Sequence, residues 1–180
     1  MKVGATDLAG VKLIEPKVFG DDRGFFMESW NARAFAQAGI EATFVQDNHS
    51  RSRKGVLRGL HYQIERAQGK LVRCVAGEVF DVVVDLRRSS PTFGRSLAFE
   101  LSAQNQRMLW VPPGFAHGFL ALSELVDFLY KTTDYWYPEH ERTLLWNDAA
   151  LGIAWPLSGA PILAPKDAAG TPLAAAAVYD

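Results

Sequence analysis

Three side chains in this sequence, His61, Lys70 and Tyr130, are of the types that move a proton next to a carbonyl group. A histidine, with an ordinary pKa of about 6.5, suits general-base work at neutral pH. A lysine supplies a fixed positive charge for the enolate oxygen that forms when a carbon-bound proton leaves. A tyrosine hydroxyl can return a proton from the opposite face. Base, cation and phenol together would invert a stereocentre beside a ketone. His61 lies in Gly55-Val56-Leu57-Arg58-Gly59-Leu60-His61-Tyr62-Gln63, an apolar run carrying an arginine, a glycine and a histidine that a plain core strand does not require. The same stretch also suits a strand edge with a solvated Arg58 and a satisfied His61, and Tyr130 alone suits a barrel tyrosine with a bonded hydroxyl. Company favours chemistry: Lys70 opens the next apolar run, and His117 follows the turn Pro112-Pro113-Gly114.

Anion binding must be local, because the chain has no glycine-rich phosphate loop of the nucleotide-binding types. Arg23 and Arg58 are the available clamps, the guanidinium fork being matched to phosphate oxygens. Phe26, Glu28 and Trp30 fall on one face of a strand-like run, Phe25 to Trp30, giving an acceptor beside a ring that can stack on a base; a solvated edge carboxylate is the plainer alternative. Gln46 and Asn48 share one face of the run Thr43 to Ser50, and Asp47 and His49 the other, which is more polarity than a purely structural strand uses. Arg58 and His61 are three apart and should face opposite sides of a regular strand. If both serve one site, Gly59 between them must mark a bulge or twist.

The elements that would carry these residues read as short strands. Val79, Asp81, Val83 and Asp85 alternate with Phe80, Val82, Val84 and Leu86, and further runs occupy Leu97 to Leu101, Met108 to Val111, His117 to Leu122 and Val126 to Thr132. Turn signals recur roughly every 8 to 12 residues, as in an antiparallel sandwich or barrel. One helix is expected over Asn31 to Ala38, capped at Ser29 or Asn31 and closed by Gly39. The Ala-rich stretch Leu173 to Val178 suits a second short helix.

With 180 residues, one domain spanning 1–180 is expected. Nineteen basic and twenty acidic residues give a net charge of −1, which excludes the broad positive field that nucleic acid or an anionic membrane would need. No apolar run approaches the roughly 20 residues of a membrane span, and Met1 to Gly10 lacks the apolar core of a leader. Cys74 is the only cysteine. A reducing, cytoplasmic setting is therefore expected.

A small barrel with inward polar residues suggests a cupin, a fold that often holds a metal on three histidines and a glutamate. Gly55 and His61 open the first cupin motif, but Gln63 stands where the second histidine belongs, and Ala67 or Gln68 where the glutamate belongs. Pro112 to His117 matches the second motif. Two imidazoles make a poor divalent site, so no metal and no cofactor are expected.

Taken in order, Gln46-Asp47-Asn48-His49-Ser50, Gly55 to Gln63, Gly69-Lys70-Leu71-Val72-Arg73, Pro112 to Phe119, Tyr130-Lys131, Tyr137-Pro138-Glu139, Trp146-Asn147-Asp148, Gly152-Ile153 and Lys166-Asp167 resemble the dTDP-4-dehydrorhamnose 3,5-epimerase family over nearly the whole chain. The resemblance implies a mainly β, cupin-type antiparallel jelly-roll barrel with a few short helices. It implies a cofactor-free enzyme that epimerises C3 and C5 of dTDP-4-keto-6-deoxyglucose on the route to dTDP-rhamnose. By the same resemblance His61 is the base, Asp167 its orienting partner, Tyr130 the proton donor and Lys70 the enolate stabiliser. Arg23, Phe26, Glu28, Gln46, Asp47, Asn48, Arg58, His117, Glu141 and Lys166 would contact the nucleotide sugar. A homodimer with exchanged N-terminal strands is implied, in which Arg23, Phe26 and Glu28 serve the neighbour's site. The family often has a serine shortly before its Lys-Asp pair, where this chain reads Leu163-Ala164-Pro165. Relatives that invert only C3 or C5, or that move the keto group between C3 and C4, share many of these motifs. A metal-dependent cupin and a non-catalytic sugar-binding cupin are the readings from other classes.

Overall fold

The strand-like runs become thirteen short strands in the computed structural model, which describes residues 1–180. In chain order they are β1 (Lys2–Ala5), β2 (Lys12–Glu15), β3 (Val18–Asp21), β4 (Gly24–Met27), β5 (Gln46–Arg53), β6 (Leu57–Gln63), β7 (Lys70–Ala76), β8 (Glu78–Asp85), β9 (Ser96–Ser102), β10 (Met108–Val111), β11 (Phe115–Ala121), β12 (Leu125–Thr132) and β13 (Glu141–Thr143). Two short helices, α1 (Ala32–Gln37) and α2 (Pro165–Ala168), complete the regular elements with three single 3-10 turns. No helix is long and apolar enough to cross a membrane.

One sheet has the order β1-β2-β10-β7-β12-β5 and a second β13-β6-β11-β8-β9, with antiparallel pairing throughout; β3 and β4 form a separate hairpin. From β5 to β8 and again from β9 to β13, successive strands alternate between the two sheets. This is the jelly-roll pattern, and it sends neighbouring stretches of sequence to opposite walls of the space between the sheets. That space is filled at one end by Val72, Leu109, Val126 and Phe128 of the first sheet against Val79, Val83, Leu101 and Phe119 of the second. Each such side chain contributes about 1.5 to 3 kcal/mol when buried. The other end holds the cavity described below.

Both sheets are also covered outside. Trp30, Phe35 and Ile40 pack on Ile14, Leu71 and Met108 of the first sheet. Leu144, Leu151, Trp155, Leu173 and Val178 pack on Leu60, Val82 and Val84 of the second. The Ala-rich stretch is extended where a helix was expected, apart from a 3-10 turn at Leu173–Ala175. The Tyr179 N–H donates to the Leu86 carbonyl, so the stretch lies along the sheet instead of coiling on itself.

The expected helix forms as α1: Asn31 Oδ1 accepts from the Ala34 N–H at 3.1 Å, and Gly39, with φ +73°, ends it. The strand expected over Phe25 to Trp30 stops at Met27. Trp30 turns inward, with ring centroids 4.4 Å from Phe35 and 4.6 Å from Phe44, so it does not share a strand face with Phe26 and Glu28.

Candidate active site

His61 owes its direction to an irregularity in β6. His117 pairs with His61 and Phe119 with Arg58, so three steps along β6 match two along β11. The extra residue falls at Gly59 and Leu60, and this bulge turns both Arg58 and His61 toward the cavity, as the spacing required. Gly59 has φ +122°, and a Cβ there would lie 2.7 Å from Gly118 Cα and 2.8 Å from the His117 carbonyl oxygen. Only glycine fits such a backbone-on-backbone approach.

The cavity, about 390 Å³, lies between β5, β7 and β12 on one side and β6, β11, β13 and α2 on the other. Inside it, His61 Nε2 donates to Asp167 Oδ1 at 2.5 Å. Pro165 starts α2 with its ring-fixed φ, and that same first turn delivers Asp167, 2% exposed, to the imidazole. The carboxylate fixes the tautomer and leaves Nδ1 with the lone pair. Burial pushes the His61 pKa below its usual value, and Asp167 opposes that shift only in part, so the ring is a neutral base at pH 7.

Lys70, 8% exposed at the start of β7, donates from Nζ to the His61 carbonyl at 3.2 Å. Burial lowers its pKa to about 8, against the pull of Glu141 and Asp81, which leaves it mostly charged at neutral pH. Tyr130, on β12 beside β7 and across the cavity from His61, has its pKa raised by burial and by Glu141 and therefore keeps its proton. A neutral base, a cation and a protonated phenol thus line one cavity.

A second histidine–carboxylate pair lies deeper: His117 Nε2 is 2.9 Å from Asp81 Oδ2, and Asp81 is completely buried. Burial raises the Asp81 pKa, while His117 and Lys70 oppose the rise. No group of three or more histidine, cysteine, aspartate or glutamate side chains is arranged to hold a metal ion. Both Nε2 atoms are committed to carboxylates, and the Gln63 amide bonds to backbone on both sides.

A model of a known family, described as dTDP-4-dehydrorhamnose 3,5-epimerase, matches residues 5–175. The chain belongs to this family. It is 63% identical over 171 residues to the dTDP-4-dehydrorhamnose 3,5-epimerase of Pseudomonas aeruginosa, covering 94% of each chain. Its structure superposes with a TM-score of 0.94 on a dTDP-6-deoxy-D-glucose-3,5-epimerase from Legionella pneumophila in complex with dTDP-4-keto-L-rhamnose, at 52% identity over 97% of this chain and 93% of that one. A 3′-monoepimerase from Streptomyces bikiniensis in complex with dTDP-quinovose is more distant, with a TM-score of 0.89 and 34% identity over 94% of this chain and 86% of that one.

Of the residues expected from the family resemblance, His61, Lys70, Tyr130, Asp167, Gln46, Asn48, Arg58, His117, Glu141 and Lys166 all line the cavity. Arg58 is held by its Nε donating to Ser52 Oγ at 3.0 Å and by Nη2 donating to the Arg51 carbonyl at 3.2 Å. Lys166 Nζ donates to both Glu141 carboxylate oxygens at 3.0 Å. With Lys70 on β7 facing Arg58 on β6 and Lys166 on α2, the cavity carries cations on both sides.

Four expected residues are placed elsewhere. Asp47 is on the outer face of β5, where strand alternation sends it away from Gln46 and Asn48, and its carboxylate accepts from Lys131 Nζ at 2.8 Å. Arg23 and Phe26 are on the β3–β4 hairpin, Arg23 forked onto Asp21 and Phe26 67% exposed. Glu28 accepts from Asn31 Nδ2 at 3.0 Å. None of these four lines the cavity of their own chain.

Asp81 and Trp136 have no part in the motifs of the family resemblance, and Gln63 is given no role in the sequence beyond standing where a second histidine would be. An aspartate between Val79 and Val83 on a buried strand was the available sign for Asp81. Trp136, 56% exposed at the mouth of the cavity, lies in an irregular stretch where periodicity carries no information.

Proposed function

We propose that this protein epimerises dTDP-4-dehydro-6-deoxy-D-glucose at C3 and C5 to dTDP-4-dehydro-L-rhamnose, without a cofactor, in dTDP-rhamnose biosynthesis. The observation that carries the proposal is the neutral His61, oriented by Asp167, sharing one cavity with Lys70 and Tyr130. The identity to the Pseudomonas aeruginosa enzyme supports it.

His61 Nδ1 takes the proton next to the C4 ketone, and Asp167 stabilises the imidazolium that results. Lys70 stabilises the enolate oxygen; removing one such donor typically costs about 10²- to 10³-fold. Tyr130 returns a proton from the opposite face, which inverts the carbon. Arg58 and Lys166 meet the diphosphate, and Gln46, Asn48, His117 and Glu141 the sugar and nucleoside. The indole of Trp136 offers a flat surface for the base.

The second subunit is part of this reading. An eight-residue strand, β5, has an open edge, and the β3–β4 hairpin exposes Phe19, Phe25 and Phe26. We infer a homodimer in which the hairpin of one chain covers the β5 edge of the other and brings Arg23, Phe26 and Glu28 to its cavity. Cys74 is buried and in no disulfide, its Sγ donating to the Ala76 carbonyl at 3.1 Å, and a lone unpaired thiol fits a cytoplasmic protein.

The test is proton exchange in deuterated water, followed by NMR of the dTDP-4-keto sugar. Deuterium should enter at C3 and C5, and the product should have the L-rhamno configuration. Exchange at a single carbon would make the protein a monoepimerase, and no exchange would reject the proposal.

A further inference from the structure

Gln63 occupies the position at which a metal-holding cupin presents its second histidine, and the reaction proposed above gives its side chain no part. It is only 3% exposed, and its amide is fully engaged. Nε2 donates to the Arg66 carbonyl at 2.7 Å and to the Tyr135 carbonyl at 3.1 Å, while Oε1 accepts from the Tyr137 N–H at 2.8 Å. Gln68 works on the same segment, its Nε2 donating to the Asp134 carbonyl at 2.9 Å and the Tyr135 carbonyl at 3.1 Å.

The segment these amides hold has no ladder of its own. None of the N–H groups of Tyr135, Trp136 and Tyr137 bonds to another backbone group. Asp134 Oδ1 accepts from the first at 2.8 Å, Gln46 Oε1 from the second at 3.2 Å and Gln63 Oε1 from the third. Each backbone donor on either side of the Trp136 indole is thus held by a side chain of the barrel or the turn. A stretch without such ties would be among the first parts of the molecule to open. Held this way, the backbone that carries the indole is ordered before a ligand arrives, and binding does not have to order it.

We propose that Gln63, assisted by Gln68, is a positioning residue that holds the Asp134–Tyr137 turn so that Trp136 forms a fixed wall of the cavity mouth for the base of a nucleoside diphosphate sugar. The position that carries a metal ligand in other cupins has here been turned into a brace for the nucleotide end of the site. The inference rests on the nucleotide-sugar reading given above.

The experiment is a double-mutant cycle on dTDP binding, measured by calorimetry, with steady-state kinetics alongside. Trp136→Ala should weaken dTDP by roughly 10-fold, the scale of one lost base–aromatic stack. Gln63→Met, which keeps the side-chain volume, and Gln68→Ala should each weaken dTDP by about 3- to 10-fold and raise KM alike, with kcat changed less than about twofold. In the Trp136→Ala background neither glutamine substitution should have a further effect. The same loss with and without Trp136, or a fall in kcat at unchanged KM, would overturn the proposal. Gln68 is only part-buried, so its arm of the cycle decides the matter if Gln63→Met does not fold. Because dTDP binding needs no turnover, a protein that binds dTDP without exchanging protons rejects the reaction alone, and the cycle still decides the role of Gln63.

Discussion

Asp167 meets His61 across 106 residues of sequence, at 2.5 Å, and it does so from a helix of four residues. The contact sets which imidazole nitrogen is free and which way the ring points, so the basicity of His61 belongs to the pair. Burial alone would lower the pKa of an isolated imidazole and weaken it as a base; the carboxylate returns part of that basicity when the proton arrives.

Asp167→Asn should therefore lower exchange at both C3 and C5 while leaving dTDP binding within about twofold. General-base catalysis is worth roughly 10²- to 10⁴-fold, and His61→Ala should cost at least that much at both carbons. Full exchange in Asp167→Asn would make Asp167 a structural residue only.

The pH dependence of kcat/KM has a worked sign. His61 must be neutral to act, and its pKa is lowered from 6.5, so activity should fall only on acidification below that value. Lys70 must be charged, and its pKa is about 8, so activity should fall as pH rises through about 8. Tyr130 is raised above its usual value of 10.0 and adds no break in between. In Lys70→Met the small remaining activity should lose the alkaline fall. An alkaline fall at an unchanged pH in that variant would assign it to another group.

Tyr130→Phe should separate exchange from inversion. With His61, Asp167 and Lys70 in place, the carbon-bound proton can leave and return on the same face, so deuterium should still enter while inversion, at least at C5, drops sharply. Equal losses of exchange and inversion would place Tyr130 in enolate formation and end the two-face assignment.

Gly59→Ala should destabilise the fold by about 2 to 4 kcal/mol, combining a strained positive φ with a forced contact against Gly118. Urea unfolding measures it directly. A loss below about 1 kcal/mol would mean that β6 and β11 can separate locally at no great cost.

Much of the fold was legible because strand alternation and turn chemistry are local. Asn31 and Gly39 bound α1, and the conflict in parity between Arg58 and His61 located the bulge at Gly59. The fate of Leu173 to Val178 was not legible, because long-range backbone bonds of the following Tyr179 with Leu86 and Arg88, just past β8, decide it, and alanine by itself favours a helix. Asp81 was hidden for a related reason: on a strand buried on both faces, alternation does not say which neighbour a carboxylate will meet. Asp47 was carried along with Gln46 and Asn48 by family resemblance, although period two alone placed it on the other face. Arg23, Phe26 and Glu28 came from family resemblance alone and do not line the cavity of their own chain, a placement that strand parity within one hairpin does not reveal.

The approach of Gly59 to Gly118 also bears on how such a site can change over generations. A Cβ on Gly118 would lie 2.5 Å from the Arg58 carbonyl, just as one on Gly59 would strike Gly118. Neither position can accept a side chain before the other strand has moved, and no replacement of the other residue makes room, because each already has none to give up. Point mutation cannot then adjust the angle between β6 and β11 in small steps. Descendants with altered substrate preference are left to vary the side chains around a backbone crossing they inherit unchanged.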